Sequence, residues 1–298
     1  MALAAVIAAL VSACGFAIST SLQHRVVTDS AASARRSSGL LKSLVRSPAW
    51  LLGLLVGALA FTFHAVAVKH GALAVVQPIM VSGIVFALPV RAALDRQRPK
   101  NSDIAWAAVT ATGLALFVIA SNPTTGVGGS REVPAMIFIL AGFTTAFALS
   151  HIGVNSQSTV RRGVLLGSAA GILFGLVAGI LKMVVLGSAD GHLNYWAVTV
   201  LVVLGVWGIG LNQRAYQVTP LSVSMPVLNV VDVVVAIGFG FYVFHEVPAH
   251  QTGALATEII GMVLMGLGVR QLTRGEVLPT QMSVETRPKI MTSLGSNK

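Results

Sequence analysis

Charge is what this chain has least of. Asp, Glu, Lys and Arg together make up 10% of its 298 residues, and only 10 of those residues are acidic. A water-soluble domain carries roughly 25%. A chain so poor in charge cannot cover a water-facing surface, so the solvent for most of it is lipid. Cysteine occurs once, at Cys14. That excludes an internal disulfide and a cysteine-built metal site. Aromatic residues are 6%, which weighs against an aromatic cage around a cationic solute. What is abundant is apolar: 55% of the chain, with a mean hydropathy of +0.81. The net charge of +10 does not mark a nucleic-acid surface, because the basic residues sit in short gaps between apolar runs rather than on one face.

The start, MALAAVIAALVSACGF, contains Val-Ser-Ala-Cys, which resembles a lipoprotein processing site. It lacks the basic stretch of a secretory signal, and its apolar run continues past Cys14. It reads as a retained first span.

A membrane-crossing helix needs about 20 mostly apolar residues. On that basis the chain has nine: Leu3 to Leu22, Pro48 to Val68, Ala72 to Val90, Ile104 to Ala120, Val133 to Ile152, Gly163 to Leu186, Tyr195 to Leu211, Leu221 to Phe244 and Ala254 to Leu272. Backbone groups in lipid must be bonded internally, so these are helices. The fold class is all-α, a polytopic membrane protein. With the amino terminus outside and the carboxyl terminus cytoplasmic, 17 of the 20 basic residues fall in cytoplasmic gaps or the tail; Lys69, Arg131 and Lys182 are the remainder. This positive-inside bias supports both the count and a cell-membrane orientation. The gap from Gln23 to Ser47 reads as mobile or as a surface helix near anionic lipid. Residues 273–298 read as a flexible cytoplasmic tail.

The chain also resembles itself. HAVAVKHGALAVVQPIMVSGIVFALPV matches NQRAYQVTPLSVSMPVLNVVDVVVAIGF, aligning Pro78 with Pro226 and His64 with Asn212. The organisation is a first four-helix repeat (1–122), a connecting helix (133–160) and a second four-helix repeat (161–272). An odd connector inverts the second copy relative to the first, the build of many secondary transporters. Pro78 and Pro226 then enter from opposite faces, each kinking its helix and freeing a carbonyl.

TPLSVSMPVLNVVDVVVAIGFGFYVFHE, with Pro226, Asp232 and Glu246, resembles the drug/metabolite transporter superfamily of EamA type. The resemblance covers nearly the whole membrane region. It places Asp232 and Glu246 at the family's two acidic positions. The departure is Val233, where that family usually has proline. Nine spans rather than ten is similar to the NIPA-like magnesium transporters. The resemblance implies alternating access and proton-coupled efflux.

Ionisable groups inside spans usually face partners or water. Here they are Lys182, Asp232, Glu258 and His64. Asp232 lies nearest the midplane and is too short to reach the interface; Lys182 either snorkels outward or takes Asp232 or Glu258 as counter-ion. Asn229, Asn212, Gln77 and Gln213 add neutral hydrogen-bonding groups, with Asn229 and Asp232 on one helix face. In GVLLGSAAGILFGLVAGILK, glycine recurs at Gly163, Gly167, Gly171, Gly175 and Gly179. Such a stripe lets another backbone approach closely, as tight packing or as a sliding surface. Both readings require Gly171 and Gly175 to face protein.

Two motifs are set aside. HEVPAH holds His245, Glu246 and His250, but its spacing is not HExxH and Pro248 interrupts the helix; it reads as a polar loop outside the membrane. SNPTTGVGGS follows no strand and lacks Gly-Lys-Ser/Thr, so no ATP site is read. No cofactor, no metal site and no nucleophile–base pair of an enzyme is found. The expectation is a secondary transporter of a small polar or amphipathic solute, with the bilayer and that solute or an ion as partners, no nucleic acid, and self-association as a homodimer left open. The alternatives are a divalent-cation carrier, for which Asp232 and Glu258 are few ligands, and a non-transporting assembly protein.

Overall fold

The computed structural model describes residues 2–34, 46–95, 98–120, 131–189, 191, 194–219, 221–246 and 252–275. The helices are α1 (Ala2–Ala34), α2 (Pro48–His70), α3 (Leu73–Val81), α4 (Gly83–Asp95), α5 (Asn101–Ala120), α6 (Glu132–Val154), α7 (Thr159–Ala189), α8 (Tyr195–Val218), α9 (Leu221–Phe244) and α10 (Thr252–Gly275). No strand occurs among the described residues. Nine of their helical stretches are long and apolar enough to cross a membrane, α3 and α4 together supplying one of them, Leu73–Leu94. The protein is therefore an all-α, multi-pass membrane protein.

Local signals place several boundaries. α2 starts on Ser47, whose hydroxyl accepts from the Trp50 N–H at 3.4 Å, with Pro48 in the first turn. The third span is not one helix. Pro78 lies inside α3, and four residues later the helix is interrupted for one residue at Ser82, which keeps right-handed backbone (φ −66°, ψ −7°) with its N–H on Pro78 O (3.2 Å) and Ile79 O (3.1 Å). Gly83 follows against α1: a Cβ there would stand 3.2 Å from Ala13 O. α1 continues helical to Ala34, well into the stretch read as a mobile or surface gap. α10 runs to Gly275, three residues into the stretch assigned to the tail. The rest of that tail and SNPTTGVGGS lie outside the described residues.

Both α1 and α7 act as hubs. α1 packs antiparallel on α2 (Gly15 on Ala60, Gly53 on Ser19) and parallel to α3 and α4 (Ala5 beside Gly71, Ala13 beside Gly83). α7 packs antiparallel on α8 (Gly208 on Leu173 and Phe174) and parallel to α9. α5 and α10 cross antiparallel, Gly113 on Gly261. α7 is the centre of the molecule: 72% of its apolar window is buried, against 17% for the spans of α5 and α6. A helix apolar all round belongs inside, and α7 is the 31-residue example here.

Connections alternate between two faces. Arg131, which opens α6, contacts His245 beyond the end of α9 at 3.0 Å, and the same face carries the α2–α3 turn. On the other face, Thr219 Oγ1 donates to Thr159 O at 2.9 Å, joining the α8–α9 and α6–α7 connections.

Candidate functional site

The glycine stripe lies directly on α9. A Cβ at Gly167 would stand 2.9 Å from Ser224 O, one at Gly171 2.5 Å from Leu228 O, and one at Gly175 2.7 Å from Asp232 O. Gly163 meets Thr219 and Gly179 meets the Phe239 ring. No side chain fits between these two backbones. Gly171 and Gly175 thus face protein, and what they face is the backbone of Leu228 and Asp232 on α9.

Asp232 itself is half-buried, and its Oδ1 is buried without a hydrogen-bond partner among the described residues. The same holds for His64 Nδ1 on α2, Gln77 Nε2 on α3, Asn212 Oδ1 on α8 and Ser224 Oγ on α9. His64 is 8% exposed and Gln77 2%; the His64 ring lies tilted 6.5 Å from Phe61. Ser21 Oγ on α1 and Arg162 Nε on α7 bring such atoms to seven among the described residues. Four of the seven, on Asp232, His64, Gln77 and Asn212, belong to residues singled out from the sequence.

Pro78 and Asn229 come together. With Val233 of α9 and Met262, Met265 and Gly266 of α10 they line a cavity of about 80 Å³ between α3, α9 and α10. α3 and α9 run antiparallel past it, Leu73 lying by Gly240 and Pro78 by Asn229. Of Pro226, placed in α9, only the helical backbone is described. A larger groove of about 690 Å³ between α6 and α8 holds none of these residues. Its walls are Met136, Leu140, Phe143, Trp196 and Val200, and its Thr199 hydroxyl is taken by Tyr195 O. Its lining is almost wholly apolar.

Lys182 corrects the sequence reading. Its partner is neither Asp232 nor Glu258, and it does not snorkel. The ammonium is 3% exposed and donates to Glu246 Oε1 and, at 2.7 Å, to Gly71 O. The Phe244 ring lies 5.2 Å beneath it, within cation–π range. Glu258, on α10, is half-buried and makes its own contact elsewhere.

Glu246 is the second correction. HEVPAH is not simply a loop in water, because Glu246 is 4% exposed. His245 takes φ 54°, the left-handed region. That turns the chain so that the Glu246 N–H bonds back to Gly240 O, six residues earlier, at 3.1 Å. The side chain is thereby aimed inward, where Gly240 leaves room: a Cβ there would collide with Glu246 Oε2. Oε2 accepts the Leu73 N–H at 2.8 Å. α3 has no capping side chain of its own; Glu246, 173 residues away, caps it. Burial raises the Glu246 carboxyl above its ordinary value, while the Lys182 charge and the Leu73 N–H pull it back.

The capping role of Glu246, unlike the residue itself, was not read from the sequence, yet it had a signal. A helix starting at GALAV has no Ser, Thr, Asp or Asn to satisfy its first N–H groups, so an acceptor from elsewhere was required.

Across 82% of its length the chain is 27% identical to an uncharacterized protein of Corynebacterium glutamicum, of which the match covers 86%. No family model matches the chain, and no solved structure matches it.

Proposed function

We propose that the protein is a secondary transporter of a small polar or amphipathic solute, built as an inverted repeat of four helices, a connector and four helices, and related to the EamA-type drug/metabolite transporters. The observation that carries the proposal is Asp232: a carboxylate inside a span, one oxygen buried and unpaired, its backbone bedded on the glycine stripe. Intramembrane acids are retained for ion or substrate handling. The arrangement of helices supports the duplication. α1 and α7 each take the next helix antiparallel and the following span parallel, while α3 against α9 and α5 against α10 cross antiparallel, as inverted copies do. His64 and Asn212, paired by the repeat, both carry an unpartnered buried atom.

In this reading the solute binds beside Asp232 and the Pro78–Asn229 cavity, and proton exchange at Asp232 drives efflux. A solute screen on proteoliposomes with and without a pH gradient tests it. Asp232→Asn is expected to fold and to lose gradient-driven movement by at least tenfold. Undiminished gradient-driven movement in the Asn variant removes the coupling role.

A further inference from the structure

We propose that the Lys182–Glu246 pair is the latch of a gate, and that α3 is the part it holds shut; this deepens, and rests on, the transport reading. The pair joins the two halves of the chain at one face. Lys182 belongs to α7 and Glu246 follows α9, yet their outward bonds go to Gly71 O and the Leu73 N–H at the start of α3. α3 is a separate piece of nine residues. Extended backbone at Gly71 precedes it, and the one-residue interruption of the helix at Ser82 follows it. A short rigid segment between two interruptions can swing as a unit.

The latch lies on the route to the cavity. Leu73 and Gly240 mark the mouth of the α3–α9 seam, and Pro78 and Asn229 line the cavity farther along it. Gln77 stands four residues in from Leu73, about 6 Å along the helix. Every group in the latch is polar on both sides. When α3 swings away, the ammonium, the carboxylate, the Gly71 carbonyl and the Leu73 N–H all pass to water, which replaces the bonds they lose. An apolar seal would have no such exchange.

The experiment reads opening without any solute. In a Cys14→Ser background, Gln77→Cys reports access with a membrane-impermeant maleimide, applied to vesicles of both orientations. Lys69→Cys, an exposed position on the same face, identifies which orientation presents that face. The double variant Lys182→Met/Glu246→Gln removes both charges and keeps the side-chain volumes, so it is expected to fold. Labelling of the Gln77→Cys thiol from the Lys69 side is expected to rise at least tenfold in it, with no rise from the other side. Unchanged labelling in the folded double variant overturns the latch, as does an equal rise from both sides, which is general loosening. Failure of the double variant to fold also overturns it, because a bond broken in every cycle cannot be a condition of folding. A one-sided rise in a protein that moves no solute leaves the latch standing and removes the transport reading. Gradient-driven transport with unchanged labelling does the reverse.

Discussion

Two glycine-lined contacts hold this protein together, and they are built for different places. On α7 the glycines run five in a row at intervals of four; the middle three meet the α9 backbone from Ser224 to Asp232, and the outer two meet the side chains of Thr219 and Phe239. On α5 and α10 the contact is concentrated at Gly113, Gly261 and Gly268: a Cβ at Gly113 would stand 2.7 Å from Gly261 O, and one at Gly261 2.7 Å from Gly113 O. The first contact is parallel, central and continuous. The second is antiparallel and peripheral, on a helix with 17% of its apolar window buried. In lipid there is no hydrophobic gain from pressing two helices together, so close packing supplies the attraction. α7 has protein on most of its remaining sides, whereas α9 keeps an exposed face (Val230, Val234, Tyr242) and the outer pair is exposed over most of its surface. The difference teaches that the stripe sets the register of the whole bundle, whereas the α5–α10 contact joins only two helices.

That comparison is broken most severely at Gly175. Overpacking by even a few carbons costs about 1–3 kcal/mol in a filled core, and the backbone of Asp232 cannot step aside. Gly175→Leu is expected to abolish monodisperse folded protein on size-exclusion chromatography. Gly113→Leu is the intermediate case: it should part α5 from α10 and lower the thermal aggregation midpoint, while folded protein is still recovered. Equal damage from the two substitutions would dissolve the distinction between centre and edge. The smallest effect belongs to Gly266→Ala on α10, where nothing lies within 4 Å of the added Cβ. Its thermal midpoint should be unchanged or higher, since alanine favours helix over glycine by roughly 1 kcal/mol. A loss of stability there would mean that the added methyl is felt across the Pro78–Asn229 cavity, which Gly266 lines.

Much of the fold was legible in the residues. The nine spans follow from run length, because lipid demands about 20 apolar residues and forbids unpaired backbone. The stripe on α7 was legible as a contact surface because glycine at a spacing of four has no other use in a long apolar helix. His64, Gln77, Asn212 and Asp232 stood out as polar groups in apolar runs, and each carries an unpartnered buried atom. Two things were hidden. Lys182 and Glu246 are 64 residues apart, with Glu246 in a segment whose composition reads as a loop. The left-handed turn at His245 that swings it inward has no marker, since glycine rather than histidine is the usual residue there. The interruption at Ser82 was hidden as well, because Pro78 alone predicts a kink and the interruption comes one turn later.

By itself, the sequence determined that this chain lives in a bilayer, how many times it can cross, and which of its helices offers a smooth face. Those are properties of composition and period, which act one helix at a time. Only the tertiary structure decided that the smooth face lies on the backbone of Asp232, and that Lys182 neutralises Glu246 while both fasten the start of α3. A buried charge takes whichever partner the packing delivers, and no local pattern records which of ten acidic residues that will be.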